Sequence, residues 1–558
     1  MITSVVGVII LLGGLIFFHE LGHYLVAKLF GVKVEVFPLG FGKKIASRKI
    51  GETEYCLSLF PLGGYVKLMG DDLYKGVPPE EAHRAFATQK LHKRFLIVAA
   101  GPFANLFLAY ILYVCVFWFG KPTEGTKIGE VVVDSPAWQA GIREGDRILA
   151  LGDKQVKTWN DLEETLKPLA GTKLELRIER SSQELKVPVT VSTVKTKNPY
   201  GEDELAGGIK GISPLPLAPV VGISNSHSMA YSAGLRTGDL ITKIDSTPIT
   251  VFSEINDQLE QMGATTKPVI ITVKRELEPG SKKSKTQELS FTLTLAAKKP
   301  SPEQLSPFGL AEKLGIFPSE LFVRAVTPGS PAEQGGMQPH DRVARTGEKP
   351  AYNFESIVDY VQEQGSKGQL VQLTLERGGQ LVQLSLKPSY TAHEDPLTRE
   401  TINKYLVGFS PLTVFAEPEM VHIKIREPLH LLAHSGQEVW VLSSRMVVSI
   451  AKLIVGKISV KNLGGPVLIA SVAGRSLDAG IIPFLLMMAL ISINLFLLNL
   501  FPIPILDGGH LFFFVIEAIK GKPVSIRTME IANQLGLALI LMLVGLTLFN
   551  DISRMVLH

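Results

Sequence analysis

The chain has 558 residues, a net charge of +4 and a hydrophobic share of 46%. That length calls for several domains, and a weak charge with no basic run excludes a nucleic-acid footprint. A mean hydropathy of +0.23 is high for a soluble protein, and the apolar excess sits at the two ends.

A membrane span takes about 20 apolar residues. Residues 2–27 form the first candidate, and its only polar breach is His19, Glu20 and His23. The start has no basic n-region and no small-residue cleavage site follows, so a retained helix is expected rather than a signal peptide. In that helix His19 and His23 lie one turn apart on one face. Two imidazoles so placed can hold one zinc ion, and Glu20 beside them can take a proton from a metal-activated water, the H-E-x-x-H arrangement. A helix with incidental polar residues is the plainer alternative. It is disfavoured because ionisable residues in a span are costly.

Residues 28–94 carry 12 Lys and Arg, which makes this loop cytoplasmic and puts the N-terminus outside. Within it, residues 31–70 read as short strands with glycine turns, since "VKVEVF" alternates and "TEYCLSLF" is strand-rich. Residues 95–119 form a second span without a charge. Cys56 lies in the loop and Cys115 in this span, so no disulfide is expected.

Residues 121–427 contain an internal repeat. Its copies start "SPAWQAGIREGD", "SMAYSAGLRTGD" and "SPAEQGGMQPHD", with Asp146, Asp239 and Asp341 equivalent and 93 and 102 residues apart. Strand-like runs follow each copy. The "AGLRTGD" pattern resembles PDZ domains, giving three β-rich units at 125–215, 216–300 and 318–392. Such domains take peptides by strand addition; the alternative is spacers that bind nothing. The third copy has His340 where the others have Gly145 and Gly238, a turn position, so it reads as degenerate. "ELEPGSKKSKTQE" reads as a polar loop in the second copy.

Residues 393–482 read as a linker with an amphipathic helix at 439–455, where Arg445 and Lys452 share a face, lying at the membrane interface. Residues 483–510 form the third transmembrane segment, broken by Pro502 and Pro504 inside "NLFPIPILDGGH". Residues 531–552 form the fourth. By parity the repeats and the C-terminus lie outside. A catalytic zinc site needs a third protein ligand. Asp507, taken as ending the third segment near the cytoplasmic side, matches the depth of His19. An Asp-Gly turn is the alternative, and His510 ranks behind Asp507 as a ligand. The prolines leave backbone groups unpaired, which is tolerable where they line a cavity. Asn499 offers a donor and an acceptor there, or an inter-helix hydrogen bond.

"HELGH" at 19–23, "GFG" at 40–42, "PLGGYVKL" at 61–68, "GPFAN" at 101–105 and "NLFPIPILDGGH" at 499–510 bracket the chain. With these motifs the chain resembles the site-2 proteases, the intramembrane zinc metallopeptidases. The resemblance implies Zn2+ on His19, His23 and Asp507, Glu20 as general base, and Asn499 holding substrate backbone. It also implies a membrane-associated β-region in 31–94 in which Gly40, Phe41 and Gly42 pair with an unwound substrate. The implied fold is an α-helical core of four transmembrane helices with that β-region and extracytoplasmic PDZ-like domains. The family usually has one or two of these, so three is a departure. The implied partners are the lipid bilayer of a bacterial inner membrane and single-span proteins cut after their outer part is trimmed, such as a trimmed anti-sigma factor or signal-peptide remnants. Peptide ligands of the PDZ-like units are a further expectation. The rival readings are a non-catalytic membrane scaffold, which would need no Glu20, and a transporter, for which the four spans lack an evident repeat.

Overall fold

The computed structural model describes residues 2–71, 77–198, 203–262, 268–276, 285–294, 307–394, 401–456, 458 and 460–557. The chain divides into two units, one of residues 1–122 and 422–558, the other of residues 123–396 and 401–421.

In the first unit four helices are long and apolar enough to cross a membrane: Val5–Leu29, Leu91–Phe119, Ile481–Leu500 and Ile526–Arg554. Their positions match the four expected spans because each contains a long, mostly apolar run. The first three share a core that includes Leu11, Leu15, Leu108, Phe117, Met488 and Ile493. The first two approach closely through small residues. A Cβ on Gly22 would overlap the Ala100 carbonyl and sit 2.7 Å from Ala104 Cβ, the short-side-chain contact that lets membrane helices meet. The last span keeps Leu535 and Leu541 exposed. Its buried Asp551 accepts from the N–H groups of Gly465, Val467 and Leu468 at 3.0–3.1 Å, capping the helix Pro466–Asp478 from outside that helix.

Two expectations for this unit are corrected. The third segment does not run to 510: its helix stops at Leu500, and Asp507 opens a separate helix, Asp507–Lys520, instead of ending the span. The region 393–482 is not mainly linker. It holds the helices Pro428–Ile454 and Pro466–Asp478, and the first begins well before residue 439 because Leu431, Ser435 and Val439 form one buried stripe. As expected, both cysteines are free, Cys56 lying in the strand Thr53–Gly64 within the first loop. That strand pairs with Val34–Ile50, which carries Gly40 and Gly42 at φ 96° and 92° amid several register shifts.

In the second unit the repeat is visible as three four-stranded antiparallel sheets with one shared strand order. Their central strands are Arg147–Leu151 with Lys173–Arg180, Leu240–Ile244 with Pro268–Glu276, and Arg342–Thr346 with Val371–Arg377. A helix accompanies each: Trp159–Leu166, Ser253–Met262 and Phe354–Ser366. The three aligned aspartates do the same work. Each is almost fully buried and accepts a two-pronged guanidinium at 2.6–2.7 Å, Asp146 from Arg180, Asp239 from Arg275 and Asp341 from Arg377. A paired, hydrogen-bonded geometry is what makes a buried charge tolerable.

Each repeat is closed by a strand that returns to its start: Ile212–Ser213 on Glu130–Val131, Phe317–Pro318 on Val221–Gly222, and Phe409–Pro411 on Val323–Val326. The spans 216–300 and 318–392 therefore leave out the closing strands of the second and third copies. Most of the polar loop expected in the second copy, residues 277–284, lies outside the described residues.

The third copy is not degenerate at its turn. His340 takes φ 70°, where Gly145 has 85° and Gly238 has 96°. Its N–H reaches the Val323 carbonyl at 2.7 Å, as Gly145 reaches Ile128 and Gly238 reaches Val221 at 2.9 Å. A left-handed conformation costs a side-chain-bearing residue about 1–2 kcal/mol, partly offset by the extra freedom glycine has when unfolded. His340→Gly should therefore stabilise the third repeat by roughly 0.5–1 kcal/mol, read as a rise in the thermal unfolding midpoint of the purified protein. A fall would mean that the imidazole itself contributes to the fold.

Candidate metal centre

The first helix brings His19 and His23 to the N-terminus of the helix Asp507–Lys520. His19 Nε2 lies 3.1 Å from Asp507 Oδ2, His23 Nε2 lies 3.5 Å from the same oxygen, and the two imidazole nitrogens are 3.3 Å apart. Among the described residues no other three His, Cys, Asp or Glu side chains bring ligand atoms within 4.8 Å of one another. Tetrahedral zinc with bonds of about 2.0–2.1 Å spaces its donors about 3.3–3.4 Å apart. The three side chains fit such an ion and leave its fourth position open.

The sequence around Asp507 explains how it gets there. After Leu500 the chain leaves the helix at Phe501 and runs through Pro502 and Pro504. Ile505 takes φ 84°, a value β-branched residues seldom adopt. The next helix then folds back on this loop. A Cβ on Gly508 would overlap the Phe501 carbonyl, and one on Gly509 would sit 2.6 Å from the Ile503 carbonyl. The two glycines therefore permit the close approach that sets Asp507.

The second span orients both imidazoles. His23 Nδ1 donates to the Ile97 carbonyl of that span at 2.8 Å. That leaves Nε2 of His23 free to face a metal. A Cβ on Gly101 would overlap the His23 ring. One turn on, the fully buried Asn105 stands 3.3 Å from His19 Nδ1 through its amide nitrogen, while its Oδ1 is buried without a partner. With the amide's two ends exchanged, Oδ1 accepts from Nδ1–H, which leaves Nε2 of His19 free to face a metal. Asn105 was visible in "GPFAN", but nothing local distinguished it from a polar residue facing a neighbouring helix. Asn105→Ala should lower zinc affinity by about 10–100-fold with the fold retained, measured by competition with a fluorescent chelator. Unchanged affinity would detach Asn105 from His19.

Glu20 is half-buried beside the pair and hydrogen-bonds to the backbone of Val66. A Cβ on Gly64 would be 3.3 Å from Glu20 Cγ, so the end of the β-region stands against the helix bearing the motif. Asn499 is half-buried on the last turn of its helix and shows no side-chain hydrogen bond among the described residues. Gly40, Phe41 and Gly42 lie in the strand Val34–Ile50, whose partner on one side, Lys67–Leu68, pairs only at Val34 and Val36. His510 is not drawn into the group formed by His19, His23 and Asp507.

A family model described as peptidase family M50 matches residues 7–543. The chain belongs to peptidase family M50. This M50 peptidase is 29% identical over 549 residues to the regulator of sigma-E protease RseP of Escherichia coli (strain K12), covering 98% of both chains. It is 31% identical over 557 residues to the regulator of sigma E protease of Haemophilus influenzae, again 98% of both. Over 546 residues it is 31% identical to a protein of Neisseria meningitidis named as a zinc metalloprotease, covering 97% of both. The resemblance to site-2 proteases therefore holds across the chain, and the peptidase is an intramembrane zinc protease. A solved PDZ-domain protein from Parabacteroides distasonis shows 9% identity and a TM-score of 0.13 over 50% of this chain and 94% of its own.

Proposed function

We infer that the peptidase holds Zn2+ between His19, His23 and Asp507 and cuts single-span membrane proteins with Glu20 as general base. The observation that carries this reading is the convergence of the three donor atoms at 3.1–3.5 Å. When bound, zinc supplies Lewis acidity, which polarises a carbonyl and acidifies water. Glu20 takes the proton of the attacking water and delivers it to the leaving amine. A peptide bond inside a helix must unwind first. Asn499, with its amide unclaimed, can hold the unwound backbone, and the strand carrying Gly40, Phe41 and Gly42 can add it as a further strand. The Lys and Arg of residues 28–94 support a site towards the cytoplasmic face of a bacterial inner membrane, with the repeats outside. Comparing metal content and peptide-bond cleavage in the parent and Glu20→Gln tests this reading.

The three repeats are PDZ-like units that filter substrates by the bulk of their outer part; peptide capture is a weaker, separate role. Strand addition would use grooves such as that between Trp159, Leu162 and Leu166 of one helix and Ile209 and Ile212 of the first repeat. No proposed ligand or base lies in the repeats, and their ends are adjacent, Gly125 N–H donating to the Glu419 carbonyl at 2.7 Å. Deleting residues 125–419 and joining the ends with a short linker should leave cleavage of a stub-bearing substrate and admit the full-length one. The check is a paired cleavage assay on both substrates. An active deletion variant that still rejects the full-length protein removes the filter.

A further inference from the structure

A cavity of about 700 Å³ opens where the three repeats meet, lined entirely by residues of the second unit. The first repeat contributes Glu130 and Glu144. The helix Ser253–Met262 contributes Glu254 and Asp257 from its first turns. Glu320 comes from the segment joining the second and third repeats, and Glu417 and Glu419 come from the segment after the third. The basic side chains lining it are Lys127 and Arg143. Arg143 is already engaged, stacked on Trp138 and donating to the carbonyls of Trp138 and Ile142.

Glu320 shows that this is more than an acidic surface. It is only 4% exposed, and its Oε1 has no hydrogen-bond partner. Its carboxylate engages the backbone of Phe354, and the charges of Glu130, Glu144 and Glu355 act on it. Burial pushes Glu130 and Glu144 up to about 7 and Glu320 up to about 8. Of the three, Glu320 is the buried one; Glu130 is half-buried and Glu144 exposed on the cavity lining. Without an external cation, these carboxyls therefore hold protons near neutrality.

The size and walls of the cavity select the ligand. Outside the metal centre no three carboxylates or imidazoles among the described residues gather tightly enough for one ion. Aromatic rings stand beside the acids: Phe308 lies 5.9 Å from Tyr352 and 6.4 Å from Phe252, centroid to centroid. Carboxylates next to aromatic faces suit an ammonium or guanidinium on an aliphatic stem. We propose that this cavity binds a lysine- or arginine-bearing polypeptide segment, its cationic head among Glu130, Glu144 and Glu320 and its stem against Phe308 and Tyr352. The site is separate from the strand-addition grooves and does not depend on which substrate is cut.

The test uses the full chain in detergent and a fluorescein-labelled, C-terminally amidated octapeptide of alternating Arg and Leu. Amidation removes the terminal carboxylate that backbone nests capture. Fluorescence anisotropy should show binding that weakens with salt and tightens from pH 6 to pH 8.5 as Glu130, Glu144 and Glu320 ionise. Burial also raises Asp257 and Glu355, so any ionisation of theirs acts in the same favourable sense; Lys127, Arg143, Glu254, Glu417 and Glu419 also line the cavity. Glu144→Gln with Glu320→Gln should weaken binding at least about tenfold. Asp257→Lys, at an exposed position, should also weaken binding and places no new burden on the core. Equal binding of a Glu-for-Arg peptide, parent-like binding by both acid-site variants, or saturation by calcium ions in place of the peptide would each overturn the proposal.

Discussion

Glu20→Gln should abolish cleavage while zinc stays bound. Glutamine keeps the shape of glutamate and can keep the hydrogen bond to the Val66 backbone, but its amide cannot take a proton from water. None of the three donor atoms is touched, so metal content should equal that of the parent. Loss of a positioned general base typically costs about 10²–10⁴-fold in rate, which on a slow membrane substrate is background. The measurement pairs atomic emission for zinc with mass spectrometry of a single-span reporter. Parent-like turnover by the purified variant would refute the assigned base. Loss of zinc as well would mean that Glu20 helps to hold the metal.

Asp507→Asn should lose metal and activity together. The carboxylate supplies the one anionic donor, its Oδ2 lying 3.1 Å and 3.5 Å from the two imidazole nitrogens. A neutral amide is a much poorer zinc ligand, so affinity should fall by more than the roughly 10–100-fold caused by losing an outer-shell partner. Asparagine is well tolerated at a helix start, so the helix Asp507–Lys520 should persist and the loss should be chemical. A chelator titration followed by refolding-independent metal analysis reads it directly. Full occupancy with undiminished cleavage would remove Asp507 from the ligand set and make His510→Ala the next variant to measure.

These two variants separate what a local pattern can show from what it cannot. The pair His19 and His23, with Glu20 between them, is legible because a helix repeats every 3.6 residues, so spacing alone sets a shared face. Asp507 was placed by depth, and its side chain does reach the histidines, but through an element the pattern did not reveal. Two prolines and two glycines read as a terminator. The same glycines in fact let a new helix start against the Phe501 and Ile503 carbonyls. Asn105 was unreadable for a related reason: its role exists only because His19, on another helix, lies beside it.

Legible in the sequence were the four apolar helices, the placing of His19, Glu20 and His23 together on the first of them, and the threefold repeat with its aligned aspartates. All are short-range patterns, in which hydrophobic period or residue order carries the information. Only the tertiary structure decided which strands close each repeat, that His340 accepts a glycine's conformation, and that Asp551 caps a helix 80 or more residues away in sequence. It alone brought carboxylates from the first two repeats and from the segments flanking the third around one cavity. These are contacts between residues distant in the chain, where close packing and the need to satisfy buried polar groups, rather than local preference, choose the partner.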